Sequence, residues 1–328
     1  MTRPLLAPLG LLYAAAIRAK NARYDRTEPQ HLRWPVVSVG NLSVGGSGKT
    51  PLVIRLAQLL EREGWSVDVL SRGYGRSGSL VERVEISGDP SRDAERFGDE
   101  PLMIAQAARA PVFVGTSRYE AGQLAEREGN GGSRHVHVLD DGFQHRQLAR
   151  AVDIVVVHHS DLNDRLLPSG RLREPLTSLH RADVIVLREE NAELASKLEI
   201  YAQKGVPFWR VRRRLSQSSG KKRVLAFCAI ARPGEFFQAL EAEGTEVAAR
   251  VSFRDHHRYT RRDVEEIGKL GAKSGCEEFV TTEKDAVKLH EDLRAKLTSI
   301  APLRVAKLSL EIENENAAIA QLIGRLMP

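Results

Sequence analysis

The sequence predicts an α/β protein with a mostly parallel β-sheet, helices on both faces of that sheet, and a second, smaller α/β domain. Three observations predict this fold. Short apolar strands alternate with stretches of helical periodicity along most of the chain. The first strand leads through a glycine-rich loop directly into a helix. A polar and basic stretch over residues 212–222 then separates two such alternating runs.

The amino-acid composition is that of a globular chain. Its 328 residues, 42% hydrophobic and 28% charged, suffice for one large or two modest domains. The net charge of +6 fits phosphorylated substrates, an anionic membrane surface or nucleic acid, but an aromatic content of 5% offers no stacking surface for single strands, so we expect no nucleic-acid partner. The two cysteines, Cys228 and Cys276, are far apart, and a zinc site has no support.

The first alternating run, residues 25–215, predicts the larger domain. Its first strand covers residues 35–39, and leucines at helical spacing then continue to Gly64, a residue type that often ends helices. The other predicted strands cover residues 67–69, 112–114, 135–139, 153–157, 183–187 and 208–211. The helical stretches between most of them predict a mostly parallel sheet.

The second run, residues 216–328, predicts the smaller α/β domain. Its predicted strands cover residues 224–227, 246–251, 278–281 and 303–310. Its predicted helices cover residues 262–274 and 317–326, and two more begin at residues 233 and 284.

A glycine-rich loop joins the first strand to its helix. The loop meets the pattern G-x-x-x-x-G-K-[ST], except at its first position, with Ser43, Val44, Gly45, Gly46, Ser47, Gly48, Lys49 and Thr50. Its glycines let backbone N–H groups approach a β-phosphate, Lys49 reaches the β- and γ-oxygens, and Thr50 ligates Mg²⁺. The loop therefore predicts an ATP site and a P-loop NTPase-type fold. The alternative is a glycine-rich strand–helix turn with a chance Lys-Thr pair.

The same loop argues against two other nucleotide-binding classes. Val44 stands where partitioning-type ATPases carry a lysine, which counts against a nucleotide-switched ATPase. GTPases need an Asn-Lys-x-Asp motif that recognises guanine, and residues 282–285 match this motif only loosely.

Two carboxylates end the predicted strand 135–139. In P-loop proteins such a strand lies near the first one and delivers an aspartate to Mg²⁺, so we expect Asp140 or Asp141 to ligate the metal. Gln144 and His145 follow in a tight turn and are expected near the phosphates. The alternative is that the aspartates cap the next turn.

The amino terminus, residues 1–24, combines an apolar run with a basic end. Residues 4–17 carry no charge, and Arg18, Lys20 and Arg23 follow them. This run is shorter than the ~20 residues that span a membrane. It fits a secretory segment, a helix packed on the body of the protein, or an interfacial helix with its cations at lipid headgroups. Secretion conflicts with a downstream ATP site, and we expect some membrane contact.

Several sequence blocks together resemble the tetraacyldisaccharide 4′-kinase family, the lipid A 4′-kinases. They run in order from about residue 36 to residue 289 and cover residues 39–42, 45–51, 71–76, 98–101, 139–145, 167–175, 253–259 and 281–285. One departure is Ala229, where the family pattern leads us to expect a glycine.

The resemblance implies an ATP- and Mg²⁺-dependent kinase. Its acceptor would be the 4′-hydroxyl of a lipid-linked tetraacyldisaccharide 1-phosphate, and its product lipid IVA. The enzyme would be peripheral, at the cytoplasmic face of the bacterial inner membrane, in contact with an anionic surface. A P-loop kinase of a soluble small molecule is the alternative. The sequence does not identify protein partners.

The acceptor needs a group that takes its proton, and Asp99 is the candidate base. His256 resembles the family residue that pairs with this carboxylate, and the pairing would bring the second domain over the site. Without the resemblance, Asp99 reads equally well as a helix N-cap before Pro101.

Further polar side chains follow the predicted strands at the edge of the sheet where ligands collect. The substrate-binding candidates are Arg72, Tyr74, Arg76, Arg118, Arg171 and Arg173, together with Gln144 and His145. Glu174 is a further candidate for the metal shell. For each of these charged residues, a surface ion pair is the alternative.

Overall fold

The computed structural model describes residues 7–46, 48–129, 132, 134–216 and 222–327. Its strands form one 12-stranded sheet. In chain order the strands are β1 (Val36–Asn41), β2 (Ser66–Ser71), β3 (Glu82–Arg83), β4 (Val112–Val114), β5 (His135–Asp140), β6 (Val152–Val156), β7 (Val184–Arg188), β8 (Phe208–Ser216), β9 (Arg223–Cys228), β10 (Glu246–Ser252), β11 (Glu278–Thr282) and β12 (Leu303–Ile312).

Helices connect most of these strands. They are α1 (Ala7–Tyr24), α2 (Lys49–Arg62), α3 (Pro90–Phe97), α4 (Asp99–Ala108), α5 (Arg118–Glu128), α6 (Leu194–Leu198), α7 (Pro233–Ala242), α8 (Arg261–Ser274), α9 (Glu283–Ala286), α10 (Glu291–Thr298) and α11 (Glu315–Leu326). Short 3-10 turns cover His159–Asn163, Leu176–Arg181, Glu189–Asn191 and Glu199–Tyr201.

The strand order places the first strand near the centre of the sheet. The order is β10-β9-β11-β12-β8-β7-β6-β1-β5-β2-β4-β3. All neighbours are parallel except β8 with β12 and β3 with β4. The carboxyl ends of β1, β5 and β2 therefore lie side by side at one edge, where the loops after them converge.

Side-chain alternation in β1 explains why helices cover both faces of the sheet. Val37 and Val39 face a core that contains Leu52 and Leu56 of α2. Val36 faces a second core on the opposite side. All four side chains named from the first core are fully buried, and each buried leucine of this kind contributes ~2 kcal/mol of hydrophobic stabilisation.

The structure confirms the mostly parallel α/β sheet with helices on both faces, and it corrects two boundaries. The strand predicted to end at residue 211 continues to Ser216, because it pairs antiparallel with β12 and its arginines ion-pair with glutamates on neighbouring segments. The helix predicted from residue 284 ends at Ala286, and α10 begins only at Glu291. Gly64 follows the end of α2 with a φ of 79°, as predicted.

The predicted division at residue 216 stays a prediction. Strand β8 of the amino-terminal segment (residues 25–215) is joined to β12 of the carboxyl-terminal segment (residues 216–328) within the same sheet. Helix α11 also packs into the core around β1 and α2, through Ile319 and Leu322. Residues 217–221 lie outside the described part of the chain.

Helix α1 packs on the protein by one side. The Tyr13 hydroxyl donates to the Arg173 carbonyl oxygen at 3.1 Å, and the Asn21 amide donates to Glu174 at 3.1 Å. Leu11 and Leu12 remain 74% and 68% exposed. Among the described helices, none has the length and apolar character needed to cross a membrane.

Candidate active site

The phosphate loop begins where β1 ends at Asn41 and closes where α2 begins at Lys49. Gly45 and Gly48 have φ values of 96° and 94°, a region that side chains with a Cβ rarely adopt. A Cβ on Gly45 would collide with the guanidinium of Arg171, and one on Gly48 with that of Arg213. The positive φ values therefore favour glycine at both positions, independently of the arginine contacts.

A strap, residues 166–174, runs antiparallel along this loop. The Val44 amide donates to the Arg171 carbonyl at 2.8 Å, and the Arg173 amide donates to the Leu42 carbonyl at 2.7 Å. The Arg171 guanidinium also donates to the Val44 carbonyl at 3.0 Å. Backbone pairing on one side thus fixes the loop before any ligand arrives.

Lys49 is already aimed by two oxygen atoms. Its Nζ donates to Asn41 Oδ1 at 3.0 Å and lies 3.4 Å from Asp141 Oδ1. Arg173 forms a bidentate pair with the same carboxylate, at 2.8 and 2.7 Å. Burial opposes ionisation of Asp141, but Lys49 and Arg173 outweigh it and hold its pKa well below the ordinary value.

Asp140 has the opposite character although it is the adjacent residue. Ser71 donates to its Oδ2 at 3.0 Å, while its Oδ1 is buried and has no hydrogen-bond partner. Burial, together with the negative charges of Glu100 and Asp141, raises the pKa of Asp140 to about 7. An unpartnered carboxylate oxygen beside a phosphate loop is an atom that a hard cation would ligate.

The residues present fit Mg²⁺ better than a metal held by protein alone. Within the described residues, no group of three or more His, Cys, Asp or Glu side chains could hold a metal ion. Mg²⁺ usually takes one or two carboxylates and completes its octahedral shell with phosphate oxygens and water. Asp140 and Thr50 line the same cavity and supply such ligands.

The candidate base lies at the start of α4. Gly98 occupies the N-cap position and Asp99 the first helical turn, so Asp99 does not cap the helix. Asp99 is 6% exposed, and its Oδ2 lies 3.1 Å from Nδ1 of His256. Burial opposes ionisation of Asp99, but the hydrogen bond to His256 and the charge of Lys284 outweigh it and hold its pKa below the ordinary value.

His256 comes from the loop after β10 and reaches Asp99 from the carboxyl-terminal segment. Its φ is 61°, in the left-handed region. The hydrogen bond with Asp99 raises the pKa of His256, against the effects of burial and of Lys284. Asp99 and His256 belong with Glu100, Asp255 and Lys284 to a set of charged side chains that we call the junction cluster, because it joins the two segments.

Two adjoining cavities share Tyr74 and His256 in their walls. The larger, of about 860 Å³, contains the phosphate loop. The smaller, of about 120 Å³, contains Asp99. Sequence-predicted site residues that line the larger cavity are Val44, Gly45, Gly46, Gly48, Lys49, Thr50, Arg72, Tyr74, Asp140, Asp141, Arg173 and His256. Ser43 is buried beneath the loop, and Ser47 lies outside the described residues.

The other predicted residues do not line either of these cavities. Arg76 donates to the Leu80 carbonyl, Arg118 to the Thr116 carbonyl, Gln144 to the Asn41 carbonyl and Arg171 to the Val44 carbonyl. Burial and the charge of Arg118 lower the pKa of His145 to about 4. Their substrate roles stay predictions.

Glu174 contacts residues outside the phosphate loop. It is 2% exposed, and its Oε2 accepts hydrogen bonds from Arg181 at 2.7 Å and from Asn21 of α1 at 3.1 Å. These contacts make it an anchor for α1. Its place in the metal shell stays a prediction.

Three features of the site were not predicted. Asn41 orients Lys49, and Lys284 contacts His256. The third feature is a group of ion pairs around Glu235, whose partners are Arg188, Arg213, Arg232 and His158. Within this group, the guanidinium of Arg213 lies next to Gly48. Asn41 and Lys284 stand inside the sequence blocks quoted above, which is the one signal that could have found them. The Glu235 group gathers separate elements and left no local signal.

Comparisons with known proteins identify one family for the whole chain. A family model described as tetraacyldisaccharide-1-P 4′-kinase matches residues 2–327. A tetraacyldisaccharide 4′-kinase from Koribacter versatilis is 45% identical and aligns over 96% of this chain and 97% of its own. One from Desulfotalea psychrophila is 36% identical over 86% of each chain. A crystal structure described as "apo" form LpxK from Aquifex aeolicus in complex with ATP is 32% identical, with a TM-score of 0.76 over 98% of both chains.

Proposed function

The chain belongs to the tetraacyldisaccharide 4′-kinase family, and from that premise we propose how its residues carry out the reaction. The protein is a phosphotransferase of lipid A biosynthesis. It uses ATP, with Mg²⁺, to phosphorylate the 4′-hydroxyl of a tetraacyldisaccharide 1-phosphate, which gives lipid IVA.

One observation supports the residue roles more than any other. The larger cavity holds the phosphate loop, the smaller one holds Asp99, and Tyr74 and His256 belong to both walls. A nucleotide on the loop and a hydroxyl beside Asp99 would therefore meet at the shared wall. Such an arrangement turns a reaction between two ligands into one within a single complex.

On the nucleotide side, backbone N–H groups of the loop bind the phosphates and Lys49 approaches the β- and γ-oxygens. Asn41 and Asp141 hold Lys49 in place, and Arg173 fixes Asp141 from the other side. Asp140 and Thr50 would hold Mg²⁺, with Asp141 close by. The ion, when bound, neutralises charge on the transferred phosphoryl group.

On the acceptor side, Asp99 takes the proton of the sugar hydroxyl as that oxygen bonds to the γ-phosphorus. Asp99 is held ionised, so it accepts a proton without first losing one. His256 orients the carboxylate through Nδ1. Because His256 comes from residues 216–328, we propose that this pair holds that segment over the site.

Transfer of labelled γ-phosphate to the disaccharide 1-phosphate in detergent micelles tests the nucleotide side. Lys49→Met should lower transfer by ~10³-fold, because it removes the cation that contacts the transferred group. Asp140→Asn should raise the Mg²⁺ concentration needed for half-maximal rate more than Asp141→Asn does. Equal Mg²⁺ dependence in both variants would contradict the metal assignment.

We also propose that α1 holds the protein at the cytoplasmic face of the inner membrane, on an anionic surface. Leu9, Leu11 and Leu12 are 50%, 74% and 68% exposed, and Arg18, Lys20 and Arg23 are exposed on the same helix. Leucines can enter the acyl region while the cations contact anionic headgroups.

Flotation with vesicles containing anionic phospholipid tests this location. The double change Leu11→Asp and Leu12→Asp should lower the bound fraction ~10-fold, because it removes apolar burial and adds negative charge. Leu80→Asp, at a leucine that is 76% exposed elsewhere, is the matched control. A kinase of soluble acceptors would show equal flotation of all three proteins.

A further inference from the structure

Lys284 occupies the centre of the junction cluster. It follows β11 in the first turn of α9, and its side chain is 14% exposed. Its Nζ donates to Glu100 Oε1 at 3.0 Å and to Asp255 Oδ1 at 3.3 Å. Asp99 Oδ2 lies 3.9 Å away. Lys284 therefore contacts two carboxylates of residues 25–215, those of Glu100 and Asp99. Asp255 belongs to the same segment as the lysine.

The contact with His256 differs in kind from these ion pairs. Lys284 Nζ lies 3.2 Å from Nε2 of the imidazole. An ammonium group has three donors and no acceptor, so Nε2 must present its lone pair. The ring proton then sits on Nδ1, which faces Asp99 Oδ2 at 3.1 Å. The hydrogen-bond partners thus assign one tautomer of His256.

The surrounding charges keep Lys284 in the state that this assignment needs. Burial alone would favour the neutral amine, but Glu100, Asp99 and Asp255 outweigh it and hold the pKa of Lys284 above the ordinary value. The ammonium is therefore retained, and a proton on Nε2 would place two donors against each other.

We infer that Lys284 is a positioning residue that occupies Nε2 of His256 and so keeps the imidazole as a donor to Asp99. The inference rests on the proposed role of Asp99. With Nε2 occupied, His256 has no free acceptor for the proton of the sugar hydroxyl. When the bond between that oxygen and the γ-phosphorus forms and the bond to the ADP oxygen breaks, the proton goes to the carboxylate of Asp99.

A simpler role for Lys284 would be to tie the two segments together through Glu100. The two roles differ in their dependence on His256. A lysine that acts through the imidazole loses its effect when the imidazole is absent, whereas a tie to Glu100 keeps its effect. Double-mutant cycles measure this difference.

The experiment compares steady-state phosphate transfer by Lys284→Met, Lys284→Arg, His256→Ala and the double variant Lys284→Met/His256→Ala. Lys284→Met should lower kcat ~10- to 100-fold and leave the KM for ATP within about twofold, as removal of an outer partner of a functional group does. Lys284→Arg keeps a donor and should recover part of the loss. The double variant should be no more than about twofold below His256→Ala.

Lys273→Met, at an exposed lysine of α8, is the control for removal of a lysine from this segment and should match the wild type. Thermal unfolding of each variant identifies loss of fold. If Lys284→Met lowers kcat by the same factor in the wild-type protein and in His256→Ala, the inference is overturned and the role of Asp99 is left intact. Full activity of Asp99→Asn would instead overturn the proposed role of Asp99 as the base, on which the inference rests.

Discussion

Two of the regions where histidines meet carboxylates lie near opposite ends of strands β2 and β5. The junction cluster lies beyond the carboxyl ends of the strands. The second region, which we call the buried cluster, consists of Trp34, Asp68, Glu126, His135 and His137 near the amino ends. In both regions an imidazole nitrogen lies close to an aspartate oxygen. The distance is 2.6 Å between His135 and Asp68 and 3.1 Å between His256 and Asp99.

The environments of the two clusters differ more than their chemistry. His135 stacks on Trp34 at a centroid distance of 3.5 Å and an interplanar angle of 7°. His137 is fully buried, and burial together with His135 lowers its pKa to about 3. His256 is 29% exposed beside a cavity, and Asp99 raises its pKa. A His–Asp pair by itself therefore identifies no function. The pair of His256 and Asp99 differs from the buried pair because both of its residues line a cavity that a ligand could enter.

Among the histidine variants, the largest expected effect separates the clusters by activity. His256→Ala should lower kcat ~100-fold, because it removes the group that we propose orients the base. His137→Leu should leave kcat within about threefold, because His137 lines neither of the two cavities. Steady-state transfer of labelled phosphate measures both. A comparable loss in both variants would break the distinction.

Acid should separate the clusters by stability. The folded pKa of His137, about 3, lies below its unfolded value, so the unfolded chain binds more protons and stability is lost as pH falls from 6.5 towards 3. Asp68, Glu126 and His135 are the titratable groups that face this ring.

Chemical unfolding at pH 7 and pH 5 measures this loss. From pH 7 to pH 5, the free energy of unfolding of the wild type should fall by ~1–2 kcal/mol more than that of His137→Leu. The reason is that only the histidine at this position gains a proton on unfolding. If the variant shows the same acid loss as wild type, His137 is not the group responsible.

The smallest expected effect concerns backbone conformation. His256 adopts a φ of 61°, whereas His137 lies in regular strand β5. The free energy of unfolding of His256→Gly should therefore exceed that of His256→Ala by ~1 kcal/mol, because only glycine adopts this backbone region without strain. Thermal unfolding compares His256→Gly with His256→Ala, and both should be equally impaired in transfer. Equal stability would show that the backbone is unstrained there.

The residues proposed for the nucleotide side could be predicted from sequence because they lie close together along the chain. Lys49 and Thr50 follow a strand and open a helix within one continuous stretch, and Asp140 ends a strand that pairs with the first one. Pattern and periodicity contain this information. The parallel sheet follows from the same alternation of strands and helices, and eleven of its strands lie where apolar runs predict them.

The acceptor side could be predicted only as far as the family resemblance reached. Asp99 and His256 are 157 positions apart, and Lys284 is 28 positions beyond His256. No periodicity connects them, because their meeting depends on how two segments pack. Arg76 and Glu174 are also candidate ligands from the sequence. In the structure they form ion pairs with Glu82 and Arg181, and their ligand roles stay predictions.

The most direct test of the account compares Asp99→Asn with Asp68→Asn, one aspartate from each cluster. Single-turnover quench experiments with labelled ATP measure transfer, and calorimetry measures Mg·ATP binding. Asp99→Asn should bind Mg·ATP like wild type and transfer phosphate ~10³-fold more slowly, while Asp68→Asn should do both within about threefold of wild type. Transfer by Asp99→Asn at the wild-type rate would contradict the assignment of the base.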